Sequence, residues 1–238
     1  MLEHLLGDAA TIPPDRGVFL AQTRRMHPDV CEFISRQVYD DRLTAHASCA
    51  NQSTTFGTGL RWLRARHAGC STSSVEEAIL VRDTIIGQAG GTWTDASIVT
   101  HPLTPTDYLV VAPYNDQVAV LRAVLDADPR THGVRVGTVD KFQGQEAPIV
   151  FFSMATSSGA DMPRGADFLF SKNRLNVAIS RAKCLAYLVC TDELLNTRAR
   201  DVDDMKLIAT LCAFVEYAHH ESVTSGIGAV SDTARFEA

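Results

Sequence analysis

The chain has no excess of positive charge. Its 238 residues include 22 Lys and Arg against 28 Asp and Glu, which gives a formal net charge of −6. A protein that holds nucleic acid through its overall charge is rich in Lys and Arg, because neutralising phosphates provides most of the attraction. The composition therefore argues against binding by bulk electrostatics. Any contact with a polyanion is expected to depend on a few local groups.

The chain also lacks the marks of a membrane or secreted protein. No apolar run reaches the roughly 18 residues of a membrane span, and no secretory signal opens the sequence. The six cysteines include no C-x-x-C pair and no recognisable metal-binding spacing. We therefore expect a cytoplasmic protein with reduced thiols and no metal site of its own. Four thiols lie in apolar runs and are expected to pack as small hydrophobic groups, namely Cys31, Cys184, Cys190 and Cys212.

Two nucleotide-binding signatures are missing from the sequence. The phosphate loop G-x-x-x-x-G-K-[ST], which cradles β- and γ-phosphates and supplies a hydroxyl for Mg²⁺, does not occur, and no D-E-x-Q-like acidic segment follows a strand. No G-x-G-x-x-G follows the first predicted strand, which argues against a dinucleotide-dependent enzyme. The chain is therefore not expected to hold ATP by itself.

Short apolar runs are present and alternate with amphipathic stretches. With 45 % hydrophobic residues the chain can bury a sizeable core. Several runs are continuously β-branched or aromatic, which is typical of strands buried on both faces. Strands are predicted over residues 18–21, 59–63, 108–113, 134–139, 148–155 and 185–191.

Helical patterns separate these strands. Pro28 suits a first helical position, serines at 73 and 74 provide a cap signal, and Asn115 or Asp116 is expected to cap a third helix. Alternating strands and helices predict a mostly parallel α/β sheet with helices on both faces. Residues 40–59 show no pattern and are predicted to be an exposed loop. Helices are predicted over residues 28–39, 73–86, 115–127, 173–183 and 204–221.

One predicted helix, "NRLNVAISRAK" over residues 173–183, has an unusual polar side. At 100° per residue its apolar residues form one stripe, while Asn, Ser and Arg occupy the other side. A solvated helix face usually carries Glu and Lys instead. The planar fork of Arg matches two phosphate oxygens, so this side is a candidate anion-binding surface. The polar residues are Asn173, Arg174, Asn176, Ser180 and Arg181.

Four segments together resemble the motifs of superfamily 1 helicases, and most closely the branch of nonsense-decay and Dna-two-like helicases. They are "RRMHPDVCEFIS", "VVAPYNDQV", "VGTVDKFQGQE" and "NRLNVAISRAK", which occur in the family's order between residues 18 and 191. The resemblance implies the second RecA-like motor domain of a DNA or RNA helicase. In some bacterial proteins such halves follow a RecB-like nuclease domain. We expect a connection remnant at 1–17, the RecA-like domain at 18–221 and a flexible tail at 222–238.

The resemblance implies roles at the nucleotide. Arg181 would be the arginine finger on the γ-phosphate of ATP, and Arg25 would be a second γ-phosphate contact. Glu146 would accept hydrogen bonds from the ribose hydroxyls. Three further residues belong to the same nucleotide-binding set by position, namely Gln143, Gly144 and Arg174.

The resemblance also implies a track for single-stranded DNA or RNA. Thr138, Pro113, Tyr114 and Gln117 would touch the phosphates and sugars of one strand. For Tyr114 the alternative is a half-buried packing role.

The resemblance and the missing phosphate loop together predict half of a motor. ATP with Mg²⁺ would be shared with a first motor domain that lies upstream or on a split partner. The chain alone would supply the arginine finger and strand contacts without hydrolysing ATP. The alternative is a non-catalytic module, derived from a helicase domain, that binds nucleic acid or a partner protein.

Overall fold

The computed structural model describes residues 17–142 and 144–224, with the backbone alone for residues 219–224. Residues 1–16 of the connection remnant predicted at 1–17, Gln143, and the predicted tail from residue 225 lie outside the described residues. Within the described residues, no helix is both long and apolar enough to cross a membrane.

A parallel sheet of five strands forms the centre of the fold. Its order is β4-β10-β9-β7-β8, and every neighbouring pair is parallel. Two small sheets, β1-β2 and β3-β5-β6, lie apart from it. The strands are β1 (Gln22–Thr23), β2 (Thr44–Ala45), β3 (Ser53–Thr54), β4 (Gly59–Arg64), β5 (Thr92–Thr94), β6 (Thr100–Pro102), β7 (Tyr108–Ala112), β8 (Arg135–Thr138), β9 (Ala147–Ser153) and β10 (Ala182–Cys190).

Helices cover both faces of the central sheet. On one face α1, α5 and α7 pack against Phe152, and on the other α2 and α3 pack against Phe151. Successive residues of a strand point to opposite faces, which explains why these strands are apolar throughout. The helices are α1 (Pro28–Val38), α2 (Val75–Gly87), α3 (Asn115–Asp126), α4 (Ala166–Leu169), α5 (Lys172–Ile179), α6 (Asp192–Leu195) and α7 (Val202–Thr224), with 3₁₀ helices at Ala47–Asn51, Pro105–Asp107, Val139–Phe142 and Gly159–Asp161.

The predicted fold class is confirmed, with helices on both faces of a parallel sheet as expected of a RecA-like domain. Five of the six predicted strands are present as the central sheet, and Pro28 and Ser74 begin α1 and α2 as expected. The strand predicted at 18–21 is absent, and β1 begins only at Gln22. The cap of α3 also differs: the N-cap is Tyr114, without a side-chain hydrogen bond, and Asn115 and Asp116 occupy the first turn.

The helix predicted over 173–183 is shorter in the structure. It ends at Ile179, with Ser180 as its C-cap, and the chain enters β10 at Ala182. Residues 182–190 pair with β9 on one side and β4 on the other. These hydrogen bonds to distant strands outweigh the local helical pattern, so Arg181 lies in the turn between α5 and β10.

The predicted loop at 40–59 has structure of its own. It contains β2, a 3₁₀ helix and β3, and Cys49 and Gln52 are buried. The side chain of His46 accepts a hydrogen bond from the Ser48 amide, and Gln52 donates to the Arg25 carbonyl at 2.8 Å. Two-residue strands give no periodic signal, which explains why the sequence pattern did not predict them.

Candidate functional site

Charged side chains from three segments meet where β9 and β10 begin. We call Arg25, Glu146, Arg181 and Lys183 the amino-edge cluster. Arg25 precedes α1, Glu146 immediately precedes β9, and Lys183 is the second residue of β10. In a parallel sheet the amino ends of the strands share one edge, so the fold brings these groups together. Glu146 ends the segment that connects β8 to β9 and so stands at the start of β9.

The carboxylate of Glu146 is the anion of this cluster. Arg25 Nε lies 2.8 Å from one oxygen, Lys183 Nζ lies 2.9 Å from the other, and Arg25 also donates to the Ser180 carbonyl at 3.1 Å. Partial burial by itself would raise the pKa of Glu146, but the hydrogen bonds and charges of Arg25 and Lys183 outweigh burial and lower that pKa. Glu146 is therefore held as a carboxylate between two cations.

Arg181 is the least compensated charge of the cluster. Its side chain is buried, its guanidinium donates only a long 3.4 Å bond to the Gln145 carbonyl, and its Nε has no hydrogen-bond partner among the described residues. Burial, and then the nearby charge of Arg25, lower the pKa of Arg181. A desolvated guanidinium beside a second arginine is a site where an anionic group would be stabilised.

A groove of about 610 Å³ opens beside the cluster. Its lining includes Arg25 and Glu146, together with Asn176 and Ser180 from the predicted polar side of the helix, and Gln22. Gly144, in the turn before Glu146, has a φ of +83° that favours glycine. Gln143, predicted beside it, lies outside the described residues.

Arg174 does not join the amino-edge cluster. Asn176 lines the groove, and Arg174, two residues earlier on α5, points to the opposite side of the helix because two positions rotate by about 200°. The guanidinium carbon of Arg174 lies 3.9 Å from the centre of the Phe168 ring. The predicted polar side of the helix is thus divided between two places.

The residues predicted to bind single-stranded DNA or RNA lie at the edge of the sheet where β7 and β8 end, opposite the amino-edge cluster. Thr138 ends β8 and is half-buried, while Pro113 and Tyr114 follow β7 and are buried. The Tyr114 ring stacks on Phe168 with 5.4 Å between ring centres, and burial raises the pKa of Tyr114. Most of the Tyr114 side chain is therefore in packing contacts, as in the alternative role considered for this residue.

Gln117 differs from its expected place on an exposed track, because its side chain is fully buried. Its amide oxygen accepts from the Ser74 amide at 2.7 Å, and its nitrogen donates to the Ser74 carbonyl and to Ser153 Oγ. Ser153 in turn donates to Glu77 at 2.6 Å, and Glu77 contacts His67 at 3.1 Å. Gln117 thus belongs to an interior polar network.

The described part of the chain contains no group of three or more His, Cys, Asp and Glu side chains that could hold a metal ion. The cationic amino-edge cluster has the chemistry to bind phosphate groups rather than Mg²⁺ directly.

Comparison with known proteins gives several matches. A family model described as an AAA domain matches residues 1–193. The DNA-binding protein SMUBP-2 of Rattus norvegicus is 29 % identical over 196 residues, which are 76 % of this chain and 19 % of that protein. An uncharacterized ATP-dependent helicase of Caenorhabditis elegans is 28 % identical over 188 residues, which are 71 % of this chain and 11 % of that protein.

Among solved structures, the C-terminal domain of a possible DNA helicase from Lactobacillus plantarum is 12 % identical, with a TM-score of 0.42 over 72 % of this chain and 89 % of that one. The chain spans less than a fifth of the length of either relative named above.

Proposed function

We propose that this chain is the second RecA-like motor domain of an ATP-dependent helicase or translocase. The chain belongs to the AAA-domain family, whose model matches residues 1–193, and it is a helicase-related domain. ATP would be shared with a first motor domain that carries the phosphate loop, on the same chain or on a partner. One strand of DNA or RNA would run across the edge of the central sheet where β7 and β8 end, opposite the nucleotide.

The observation that supports this function is the amino-edge cluster. Arg25 and Lys183 hold the Glu146 carboxylate between them, and Arg181, beside them, has no carboxylate within 4.0 Å among the described residues. Arg181 and Arg25 would contact the γ-phosphate, and positive charge held there stabilises the charge that develops on the transferred phosphoryl group. Glu146 would accept hydrogen bonds from the ribose hydroxyls, beside the turn at Gly144.

In this proposal the chain's own residues hold and orient the nucleotide. ATP supplies the phosphoanhydride bond whose hydrolysis drives separation of the two motor domains. Arg25 and Lys183 occupy both oxygens of Glu146, so a ribose hydroxyl would have to share or replace one of these contacts. Mg²⁺ would be held by the first motor domain, with the phosphate loop.

The strand contacts would be few and independent of base sequence. Thr138 and the Pro113–Tyr114 turn lie next to each other because β7 and β8 are paired, with Ala112 opposite Thr138. Contacts of this kind with phosphates and sugars carry no base information. A net charge of −6 is compatible with such binding only when the contacts are local.

ATP hydrolysis provides the test. The chain alone, with Mg²⁺ and single-stranded DNA or RNA, is expected to show no turnover. A fusion to a first motor domain that carries the phosphate loop is expected to hydrolyse ATP when single-stranded DNA or RNA is added. In that fusion Arg181→Ala should lower kcat about a thousandfold or more. Arg36→Ala, on the exposed side of α1, is the matched control and should leave kcat unchanged.

Two results would contradict the proposal. Turnover by the chain alone that Arg181→Ala abolishes would show a complete active site in this chain. Strand binding without any ATP hydrolysis in a folded fusion would favour the non-catalytic module, in which the cluster is a structural ion-pair group.

A further inference from the structure

The region after β7 holds an arrangement that the nucleotide site does not use. Phe168 of α4 stacks on Tyr114, and two arginines approach its ring. The guanidinium carbon of Arg174 lies 3.9 Å from the ring centre and that of Arg164 lies 4.4 Å from it. The two guanidinium carbons are therefore no more than about 8 Å apart. We call Arg164 and Arg174 the carboxyl-edge pair.

The charge of this pair is not neutralised within the domain. No carboxylate lies within 4.0 Å of either guanidinium among residues 17–142 and 144–224, although Asp167 is only a few residues away in sequence. Two other exposed arginines of this acidic chain are paired, Arg36 with Glu32 and Arg130 with Asp128. Two uncompensated guanidinium groups held close together repel each other unless an anion joins them.

The ring of Phe168 holds the two guanidinium groups near each other. A guanidinium over an aromatic ring interacts through its face, and its five N–H donors lie in its own plane. The stacking contact therefore leaves the donors free. Arg164 is exposed and Arg174 is half-buried, so their donors are open to a ligand at the surface. Planar donors in pairs match the oxygens of a phosphate group.

The position of the pair indicates which phosphates it meets. Tyr114, which stacks on Phe168, lies between the end of β7 and the start of α3. The end of β8 at Thr138 is next to it, because β7 and β8 are paired. α5 begins with Lys172 at this edge and ends at Ile179 beside the amino-edge cluster, and Arg174 lies about 7–8 Å from Ile179 along the helix axis. The carboxyl-edge pair thus lies near the residues proposed to bind single-stranded DNA or RNA, at the opposite end of α5 from the proposed nucleotide site.

We propose that Arg164 and Arg174, held against Phe168, bind the phosphodiester backbone of a single nucleic-acid strand. The proposal rests on the proposed function for the presence of a strand, and it reassigns Arg174 from the nucleotide to the strand. The pair provides local positive charge at this edge, which explains how an acidic domain contacts a polyanion. Phe168 is a positioning residue that holds both guanidinium groups.

The test measures binding of a fluorescent single-stranded oligonucleotide to the full 238-residue chain by anisotropy at several salt concentrations. For single strands, each lost phosphate contact lowers the slope of log K against log salt by about 0.7. Arg164→Gln with Arg174→Gln should therefore lower the slope by about 1.4. Binding should weaken roughly tenfold for each arginine.

Matched variants separate this role from simple loss of charge or packing. Arg36→Gln with Arg130→Gln removes the same charge from two exposed, carboxylate-paired arginines and should leave the slope unchanged. Arg164→Lys with Arg174→Lys should keep the slope, because charge is retained, yet weaken binding because two-point contact is lost. Thermal unfolding of each variant reports whether the fold is intact.

The outcomes distinguish the two proposals. If the wild-type chain binds and the double Gln variant has the wild-type slope, the pair makes no strand contact and only this inference fails. If the folded wild-type chain binds no strand at low salt, the strand-binding part of the proposed function fails with it. A third experiment adds millimolar ATP or phosphate at constant ionic strength. If these anions displace the oligonucleotide from the wild type but not from the double Gln variant, the pair binds a nucleotide and the proposed contact with a nucleic-acid strand is overturned.

Discussion

Removing the carboxylate of Glu77 should destabilise the domain strongly. Its side chain is fully buried and accepts hydrogen bonds from Ser153 Oγ at 2.6 Å and the Ala155 amide at 3.0 Å, with His67 Nε2 at 3.1 Å. The other ring nitrogen of His67, Nδ1, contacts Ser157 Oγ at 2.7 Å. Glu77→Ala would leave three buried groups without their partner.

The size of the effect follows from this burial. Breaking a buried ion or polar pair by removing one member costs about 3–5 kcal/mol of unfolding free energy. For a domain of this size, each kcal/mol lowers Tm by about 2–4 °C, so the expected fall is about 6–20 °C. Glu77→Gln keeps the shape but turns one acceptor into a donor, and should cost about 1–3 kcal/mol.

The neighbouring residue provides the control. Glu76 is exposed in the first turn of α2 and accepts from Ser74 Oγ at 2.8 Å. Glu76→Ala should therefore cost no more than about 1 kcal/mol. Urea unfolding followed by the fluorescence of Trp62 and Trp93 measures both variants. The reasoning is refuted if Glu77→Ala costs less than about 1 kcal/mol, or no more than Glu76→Ala.

Two further predictions concern the two edges of the sheet. Because the folded-state pKa of Glu146 is lowered, its contribution to stability is complete above the ordinary value of 4.5 and is lost as the pH falls through the lowered pKa. Glu146→Gln should remove that part of the pH dependence in acid unfolding curves. At neutral pH it should lower the free energy of unfolding by less than about 1 kcal/mol, because the ion pairs of Glu146 are exposed. An unchanged acid profile would contradict the ion pairs with Arg25 and Lys183. The hydroxyl of Tyr114 is buried and has no well-formed hydrogen bond among the described residues, with Thr156 as a weak partner only. Tyr114→Phe should therefore change Tm by no more than about 2–4 °C, and a larger fall in a thermal melt would contradict this.

The central elements were predictable from local patterns. The apolar runs around Val110, Phe151 and Leu188 are continuous because both faces of each strand are covered, and this signature is visible in sequence alone. Pro28 and Ser74 marked helix starts through their own backbone and side-chain chemistry. The two-residue strands β2 and β3 were not predictable, since so short a segment has no period.

Of the candidate site, residue types were predictable and their grouping was not. Arg25, Glu146 and Arg181 were singled out by resemblance, and the fold brings them together at one edge. Lys183 was missed as a partner of Glu146, although it follows Arg181 closely in the same motif. Gln117 was expected at the surface, and only the packing of α2 against α3 shows why its amide is fully used inside the protein.

The sequence by itself determined the class of fold, the five central strands and the chemistry of the charged groups, because these depend on hydrophobic period and side-chain type. The tertiary structure decided where α5 ends and how its polar residues divide. Ser180 closes the helix and Arg181 lies in the following turn, where it reaches the Gln145 carbonyl, because residues 182–190 pair with two strands that are distant in sequence. Arg174 stays at the opposite end with Phe168. Strand pairing between distant segments contributes free energy that no local pattern contains, and it separates two arginines that a continuous helix would have placed on one side.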